Sequence, residues 1–303
     1  MKKYILKQLF QIVPVLFIIT FIVFCLVYVA GDPVSMMLPL DAPPEQIASL
    51  RAKLGLDQPL MVQYFTYMGN LLQGDFGNSF RYSQPALEIV LERVPATLEL
   101  AFSSMLVATV LAVPLGIWSA TSRNSALDLL ITGGSVLGKA MPNFWLGIML
   151  ILLLAVTFRV FPVSGRGGWQ HLVLPSITMG TAIAAEMTRL IRSSMLEILE
   201  QDYVKTARSK GISSFLVVYK HAFRNALIPV ITIMALQTSH LVGGALITES
   251  VFAWPGLGQL IVQAVNGRDM AILQAAIIIT AFMVIAINMM ADLLYRVVDP
   301  RIQ

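Results

Sequence analysis

The chain has 303 residues, of which 57% are hydrophobic and 13% charged, and its formal net charge is +4. A soluble domain carries about twice that charged fraction, so the composition disfavours a soluble globular protein and favours a membrane protein. A small positive balance in such a protein is typical of basic loops on one side of the bilayer. We therefore expect a lipid membrane, and no nucleic acid, among its partners.

Six apolar segments are predicted to cross the membrane, since a crossing takes roughly 20 apolar residues. Each is expected to be a helix, because an isolated strand would leave its backbone groups unpaired in lipid. The third contains Lys139 and is broken at Pro142, and the fourth is polar for a span. The six segments are residues 9–30, 100–120, a part of 129–158, about 171–187, 226–248 and 270–291.

The N-terminal segment 1–30 has two readings. Two lysines, an apolar run and the small residue Ala30 fit a cleaved signal peptide. The apolar run is long for a signal peptide, however, and further membrane segments follow it. We therefore interpret residues 1–30 as transmembrane helix one.

The distribution of basic residues predicts the orientation. Of the 21 Lys and Arg residues, 13 fall on one set of alternate segments and seven on the other, while Lys139 lies within the third span. Because cytoplasmic segments carry the excess of Lys and Arg, both termini are expected in the cytoplasm. Residues 31–94 then form an extracytoplasmic segment, and residues 296–303 form a cytoplasmic tail.

The extracytoplasmic segment is predicted to contain two short helices. A PPEQI stretch at residues 43–47 is typical of a helix start, and Ile47, Leu50 and Leu54 recur on one helical face. A second helix is predicted at residues 59–72. Its aligned side chains are Tyr64, Tyr67, Met68 and Leu71.

A long polar stretch at residues 202–229 separates the fourth and fifth spans. Its second half is amphipathic, and Gly211 separates it from a helical run at residues 195–209. Two short helices joined at this glycine would form a projection that could dock into a partner or lie on anionic lipid. Periodicity alone does not decide between these. The apolar face contains Ile212, Phe215, Leu216, Tyr219, Ala222 and Phe223.

This stretch resembles the cytoplasmic loop of binding-protein-dependent ABC importer permeases. The resemblance lies in DYVKTARSKG at 202–211 and HAFRNALIP at 221–229. Ala207 and Gly211 match the second Ala and the Gly of the family's Glu-Ala-Ala…Gly loop, whereas Lys205 and Thr206 replace its first two residues. These departures, and a more distant Pro229, resemble the di/oligopeptide and nickel branch.

Further short stretches resemble that branch in order along the whole chain. Any one of them would be weak, but together they identify the chain as similar to a first-type permease subunit in its short form. They are GDP (31–33), LGLDQP (54–59), GDFGNS (74–79), PATLEL (95–100), RSSMLEIL (192–199), WPGLG (254–258), RD (268–269) and DLLY (292–295).

The resemblance implies an all-α, type I ABC importer permease fold with a core at residues 95–295 and a coupling loop at about 193–225. It also implies a complex in a bacterial inner membrane. The expected partners are a homologous second permease, two ATP-binding subunits that use ATP and Mg, and an extracytoplasmic solute-binding protein. The chain itself is expected to bind no cofactor and to catalyse no reaction. The expected ATPase contacts are Thr206, Ala207, Arg208, Gly211, Ile212, Phe215 and Tyr219.

Polar residues inside the spans are candidates for the solute path, with hydrogen bonding between helices as the alternative reading. Gln237 and Ser239 cannot share a helix face, being two residues apart. Three His in three separate segments give no metal-ligand spacing. The path candidates are Asn143, Gln237, Ser239, His240 and Asn288.

A second set of candidate functional residues follows span five. The resemblance places Glu249, Trp254, Pro255 and Gly256 near an outer gate and the binding protein, whereas Pro255 and Gly256 alone also fit a tight turn.

The stretch GGSVLGK at 133–139 fits a phosphate loop only superficially. Ala140 replaces the required Ser or Thr, and the surroundings are a membrane segment. Gly134 and Gly138 are better interpreted as a close helix contact. Lys139 either lies deep, facing protein or water, or extends to the boundary.

Two other classes are less consistent with the sequence. A membrane-embedded enzyme would need catalytic clusters at helical spacing, and an ATP-independent secondary transporter would normally show internal repeats and a carboxylate relay.

The solute is not specified by the stretches that resemble the permease family. Di/oligopeptides or glutathione are favoured, with nickel or a nickel chelate as the alternative.

Overall fold

The computed structural model describes residues 2–30, 34, 43–53 and 55–298, and the regular secondary structure in these ranges is helical. The predicted all-α class is thus confirmed. The helices are α1 (Lys2–Ala30), α2 (Pro44–Lys53), α3 (Leu60–Leu72), α4 (Ala86–Thr121), α5 (Ala126–Ala140), α6 (Asn143–Leu150, continued by π-helical Ile151–Thr157), α7 (Gln170–Leu199), α8 (Asp202–Ser209), α9 (Ser214–Leu216, continued by π-helical Val217–Phe223), α10 (Arg224–Gly244), α11 (Leu246–Val251), α12 (Leu257–Gly267) and α13 (Met270–Val298).

The helix count is compatible with roughly six membrane spans. Two described helices, Ala86–Thr121 and Met270–Leu293, are long and apolar enough to cross without a break. Two bent pairs pass the same test together, Ala126–Ala140 with Asn143–Thr157 and Ser214–Leu227 with Pro229–Gly244, bent by 104° and 50°. Helix α1 contains a shorter apolar stretch, Ile12–Leu26.

Proline explains the two bends. Pro142 precedes α6 in an extended conformation (φ −62°, ψ 134°), so the third span breaks where the sequence predicted. Pro229 lies inside α10 and supplies no amide hydrogen to the helix ladder. The Pro142 break leaves Lys139 in the last turn of α5, next to the bend.

Two compact units make up the chain, the first formed by residues 1–96 and 255–285. Its core contains Val90 on α4, Leu260 on α12 and Ile272 on α13. At the start of α13, the Ser79 hydroxyl donates a 2.5 Å hydrogen bond to the buried Asp269 carboxylate. Asp269 also accepts from the backbone amide of Ile272, so it caps α13.

Helices α2 and α3 confirm the two short helices predicted in residues 31–94. Tyr64 of α3 is buried against α1, where its hydroxyl lies 3.0 Å from the Thr20 hydroxyl and its ring packs edge-on against Phe21. Helix α2 buries none of its side chains, so the face predicted from Ile47 and Leu50 is not part of a core. Leu54 lies outside the described residues.

The second unit comprises residues 97–254 and 286–303, and α7 is its central helix, packing against α5, α6 and α10. Helices α4 and α7 approach very closely at two glycines. A Cβ at Gly116 would lie 2.6 Å from the Ile191 side chain, and one at Gly180 would lie 2.8 Å from the Ser104 carbonyl oxygen. Small residues at such positions are what allow membrane helices to pack backbone to backbone.

Several helices extend beyond their predicted bounds. Helix α4 begins at Ala86 rather than near residue 100, and α7 continues to Leu199. The hydropathy signal marks only the apolar part of a helix, whereas backbone hydrogen bonding continues into polar residues. Helix α13 likewise reaches Val298, inside the predicted tail 296–303.

Candidate functional site

The polar stretch between α7 and α10 forms a reversed pair of helices, which we call the elbow (residues 200–223). Helix α7 ends at Leu199, α8 follows after a break at residues 200–201, and the chain reverses at Gly211 with φ +75°. This is the left-handed conformation that glycine adopts without strain. The prediction of a glycine-linked helix pair is therefore confirmed.

Two details of the predicted elbow were wrong. The helical run expected at residues 195–209 is interrupted at Glu200, so α7 and α8 are separate helices. The helix after Gly211 is not a short one, because α9 and its π-helical extension continue directly into α10 and end at Gly244. The elbow is thus joined to helices at both ends, to α7 on one side and to α10 on the other.

A small apolar core holds the two arms of the elbow together. Val204 and Ala207 of α8 and Val217 after α9 are buried against one another, with Ile198 and Ile212 packed at the edge. Ala207, expected at a partner surface, therefore lies inside the elbow. Ile212 is half-buried.

The segment after Gly211 also exposes large apolar side chains. Phe215, Leu216 and Tyr219 are 67%, 46% and 38% exposed, and the Phe215 and Tyr219 rings lie 4.6 Å apart. We call these three residues the apolar face of the elbow. The amphipathic pattern in the sequence indicated these residues, although Ala222, assigned to the same face, is buried. Three further expected contact residues, Thr206, Arg208 and Gly211, are also exposed.

An ion pair with supporting hydrogen bonds lies about two helical turns before the elbow begins. Arg192 of α7 donates from Nε and Nη2 to the two carboxylate oxygens of Asp128 on α5, at 2.7 and 2.8 Å. The buried Asp128 also accepts from the Ser119 hydroxyl at 2.5 Å and from the Asn124 amide at 3.0 Å. The Asp128 hydrogen bonds raise the pKa of the Arg192 guanidinium, so the arginine stays charged.

The sequence reasoning did not find this cluster. Asp128 and Arg192 are 64 positions apart, so no local pattern joins them. One signal was available: Ser125 caps α5 by accepting from the Asp128 amide, and a capping Ser followed three residues later by an acid marks a helix start.

A second candidate site is an open cavity of about 380 Å³ within the second unit. The Lys139 ammonium donates to the Glu186 carboxylate in its wall. Lys139 therefore faces protein and cavity rather than lying alone in lipid. The lining residues are Lys139, Ala182, Ile183, Glu186, Gln237 and His240.

Two of the five predicted path residues, Gln237 and His240, line this cavity. Ser239 faces elsewhere, since its buried hydroxyl donates to the Asn288 side-chain oxygen at 2.6 Å. Ser239 and Asn288 thus follow the alternative reading, a hydrogen bond between helices. Asn143 begins α6 at the bend of the third span, and its side chain is exposed.

The predicted outer-gate residues after span five form tightly packed structure. Glu249 is fully buried and accepts a 2.7 Å hydrogen bond from the Thr97 hydroxyl, and its carbonyl accepts from the Trp254 amide. The turn lies at residues 252–253, where Ala253 has φ 46°. The tight turn considered at Pro255 and Gly256 was therefore misplaced, because Gly256 is extended and begins α12.

An arginine packs beside the buried Trp254. The Arg166 guanidinium lies 5.8 Å from the Trp254 ring centre and donates to Glu99 at 2.6 Å. A cation over an indole ring is attracted by its π-electrons, so Arg166 links Glu99 to the buried tryptophan.

The stretch that resembles a phosphate loop lies inside α5, in helical conformation. A Cβ at Gly138 would contact Thr181 and Ala185 of α7 at 3.4 and 3.6 Å, whereas one at Gly134 would meet no atom within 4 Å. The close helix contact was thus predicted correctly for Gly138 and incorrectly for Gly134. Among the described residues, no group of three or more His, Cys, Asp or Glu side chains is placed to hold a metal ion.

Comparison with known families accounts for nearly the whole chain. Residues 112–303 match the family described as the binding-protein-dependent transport system inner membrane component, and residues 1–101 match the N-terminal membrane component of such systems. The chain belongs to this family. It is an integral inner-membrane permease of an ABC importer, of the di/oligopeptide-type branch.

Two related permease proteins can be aligned with this chain over its full length. The glutathione transport system permease proteins GsiC of Salmonella typhimurium (strain LT2) and Escherichia coli (strain K12) are each 41% identical over 304 residues, which cover 100% of this chain and 99% of the relative. Among solved structures, the MetNI methionine ABC transporter in an inward-facing conformation matches with a TM-score of 0.60 and 20% identity. That match covers 69% of this chain and 96% of the other, and at this identity it shows the fold.

Proposed function

We propose that the chain forms half of the translocation path of an ATP-driven importer for di/oligopeptides or a related small peptide such as glutathione. The full-length similarity to glutathione permeases supports the peptide class. Nickel or a nickel chelate, the alternative solute of the branch, is favoured by no feature of the described residues. An ATP-independent secondary transporter is inconsistent with the family to which the chain belongs.

The observation that carries the proposal is the apolar face of the elbow. Phe215, Leu216 and Tyr219 stand exposed in a segment that also exposes Lys205, Arg208 and Lys210. An apolar patch with a polar rim is typical of a protein–protein contact. The partner that this face fits is an ATP-binding subunit, which Thr206, Arg208 and Gly211 would contact beside it.

Helix α7 connects the elbow to the cavity. Its C-terminal end leads into α8, while Glu186, about 20 Å before that end at 1.5 Å per residue, lines the cavity. The elbow also continues into α10, which contributes Gln237 and His240 to the same cavity. A displacement of the elbow would therefore move two walls of the path.

The transport step follows from differential binding. The elbow must bind the closed and open arrangements of the ATPases with different free energies, since otherwise no work is transmitted. In this mechanism ATP and Mg are used by the two partner ATPases, and the chain binds no cofactor and catalyses no reaction. A homologous second permease would complete the path.

The proposed orientation has both termini and the elbow in the cytoplasm, in agreement with the excess of Lys and Arg on those segments. Glu249, Trp254, Pro255 and Gly256 then lie at the outer end of the path, where an extracytoplasmic solute-binding protein would deliver its peptide.

Co-purification with the ATP-binding subunits tests the elbow assignment. The double variant Phe215→Asp/Leu216→Asp places two charges on the apolar face and should abolish co-purification, because burying unpaired charges is costly. Gln201→Asp is the matched control, since it adds the same kind of charge at the exposed N-cap of α8, where Asp is favourable. Retention of the ATPases by the double variant would refute this role.

A further inference from the structure

We infer that Lys139 and Glu186 form a recognition subsite for the charged ends of a zwitterionic peptide in the cavity. Lys139 would donate to a solute carboxylate, and Glu186 would accept from a solute ammonium. The inference rests on the proposed function and adds to it the chemical class of solute and the side chains that contact it.

The geometry of the cavity carries the inference. Three helices converge there: α5 supplies Lys139, α7 supplies Glu186, and α10 supplies Gln237 and His240. Gln237 and His240 are three positions apart and so share one helix face. A volume of about 380 Å³ lies at the small end of the range found for ligand cavities, which suits a di- or tripeptide.

The ion pair is not the only contact between α5 and α7 at this position. One residue before Lys139, Gly138 already packs against Thr181 and Ala185. Both charged side chains also keep part of their surface open, with 48% of Lys139 and 28% of Glu186 exposed. A pair that meets a solute must remain accessible, as these two side chains do.

Charge balance selects the solute class. The Lys139–Glu186 pair is neutral overall, so these two groups leave no unbalanced charge in the cavity before a solute enters. A zwitterion can replace the internal pair by two solute–protein pairs and keep that balance, while a solute with one charge leaves one group uncompensated. Ionisable groups within membrane segments are costly and commonly mark solute paths. The amide of Gln237 and the imidazole of His240 can then hydrogen-bond the peptide groups between the two ends.

The test uses the full complex in proteoliposomes, with its binding protein, and measures peptide transported per ATP hydrolysed. Trialanine, a zwitterion, probes the subsite, and reduced glutathione, which carries two carboxylates and one ammonium group, probes the wider peptide function. The double variant Lys139→Met/Glu186→Gln removes both charges together and leaves no unpaired charge behind. We expect the ratio to fall by a factor of at least about ten, since each of the two charge-assisted hydrogen bonds lost weakens binding by about that factor.

The swapped variant Lys139→Glu/Glu186→Lys keeps both charges and is the matched control, and its ratio should stay closer to that of the wild type than to that of the double variant.

A second measurement does not depend on the double variant folding. In a Cys25→Ser background, Ala182→Cys places a thiol on the cavity wall and leaves Lys139 and Glu186 in place, and it should react with a thiol reagent severalfold more slowly when trialanine is being transported.

The outcomes distinguish a failure of the proposed peptide transport from a failure of the Lys139–Glu186 subsite alone. If the wild-type complex transports neither probe, the proposed peptide function fails and this inference with it. If the wild type transports a probe and the double variant matches its ratio, the subsite alone is overturned. The subsite is equally overturned if trialanine does not slow the reaction of the thiol introduced by Ala182→Cys.

Discussion

Arg192 of α7 holds Asp128 of α5 in a two-pronged contact, with Nε and Nη2 each bonded to a different carboxylate oxygen at 2.7 and 2.8 Å. Such paired geometry is the strongest form of an arginine–carboxylate contact. Seven residues after Arg192, α7 ends and the elbow begins. The contact therefore fixes the end of α7 to the start of α5 and the preceding loop, at the place where elbow movement would enter the helix bundle.

Removing Arg192 should destabilise the protein. Arg192→Ala leaves the buried Asp128 carboxylate with its bonds from Ser119 and Asn124 but without its charged partner. We expect a loss of roughly 1–3 kcal/mol, the range for losing a hydrogen-bond partner of a buried charged group. Thermal unfolding of the purified chain in detergent measures the loss. The control is Arg123→Ala, whose ion pair with Glu200 is exposed on both sides (55% and 71%) and contributes little. Equal stability of the two variants would contradict the assigned role of the Asp128 cluster.

Glycine packing between α4 and α7 gives a second prediction. Gly116→Ala places a methyl group 2.6 Å from the Ile191 side chain, and overpacking of this kind costs about 1–3 kcal/mol. Gly134→Ala adds the same methyl group where no atom lies within 4 Å, so it should be neutral or slightly stabilising. Melting temperatures in detergent compare the two, and a Gly116→Ala variant as stable as Gly134→Ala would show that the helices are not this close.

The reversal at Gly211 gives a third prediction. Gly211→Ala meets no steric obstacle, but it forces a residue with a Cβ into φ +75°, at a cost of roughly 1–2 kcal/mol. We expect weaker ATPase association, read as a higher dissociation constant. Gly211→Asn is the control, because asparagine tolerates the left-handed conformation better. If alanine and asparagine behave alike, the backbone geometry at Gly211 is not what shapes the docking surface.

The spans and the elbow could be predicted from the sequence because lipid and water impose strong, local patterns. An uncharged apolar run in the bilayer is expected to be a helix, and Pro142 interrupts such a run here. Phe215 and Tyr219 repeat at helical spacing, and Gly211 interrupts the repeat. These signals lie within a few residues of one another, and the elbow and the bend at Pro142 are found where they were expected.

The contacts between distant segments could not be predicted in the same way. Nothing in the sequence pairs Arg192 with Asp128, or Gly116 with Ile191, because their proximity depends on how α7 packs in the bundle. Ala207 belongs to the motif that resembles a partner contact, yet it is buried, since the spacing shows which side chains share a face but not which face turns inward.

ATP-dependent peptide uptake in proteoliposomes tests the central claim most directly, namely that this permease is driven through its elbow by a separate ATPase. The complex of both permeases, both ATPases and the binding protein should take up peptide only with ATP, and Phe215→Asp/Leu216→Asp should abolish uptake. The chain reconstituted alone should take up none. Uptake by the chain alone, in response to ATP or to an ion gradient, would contradict the account.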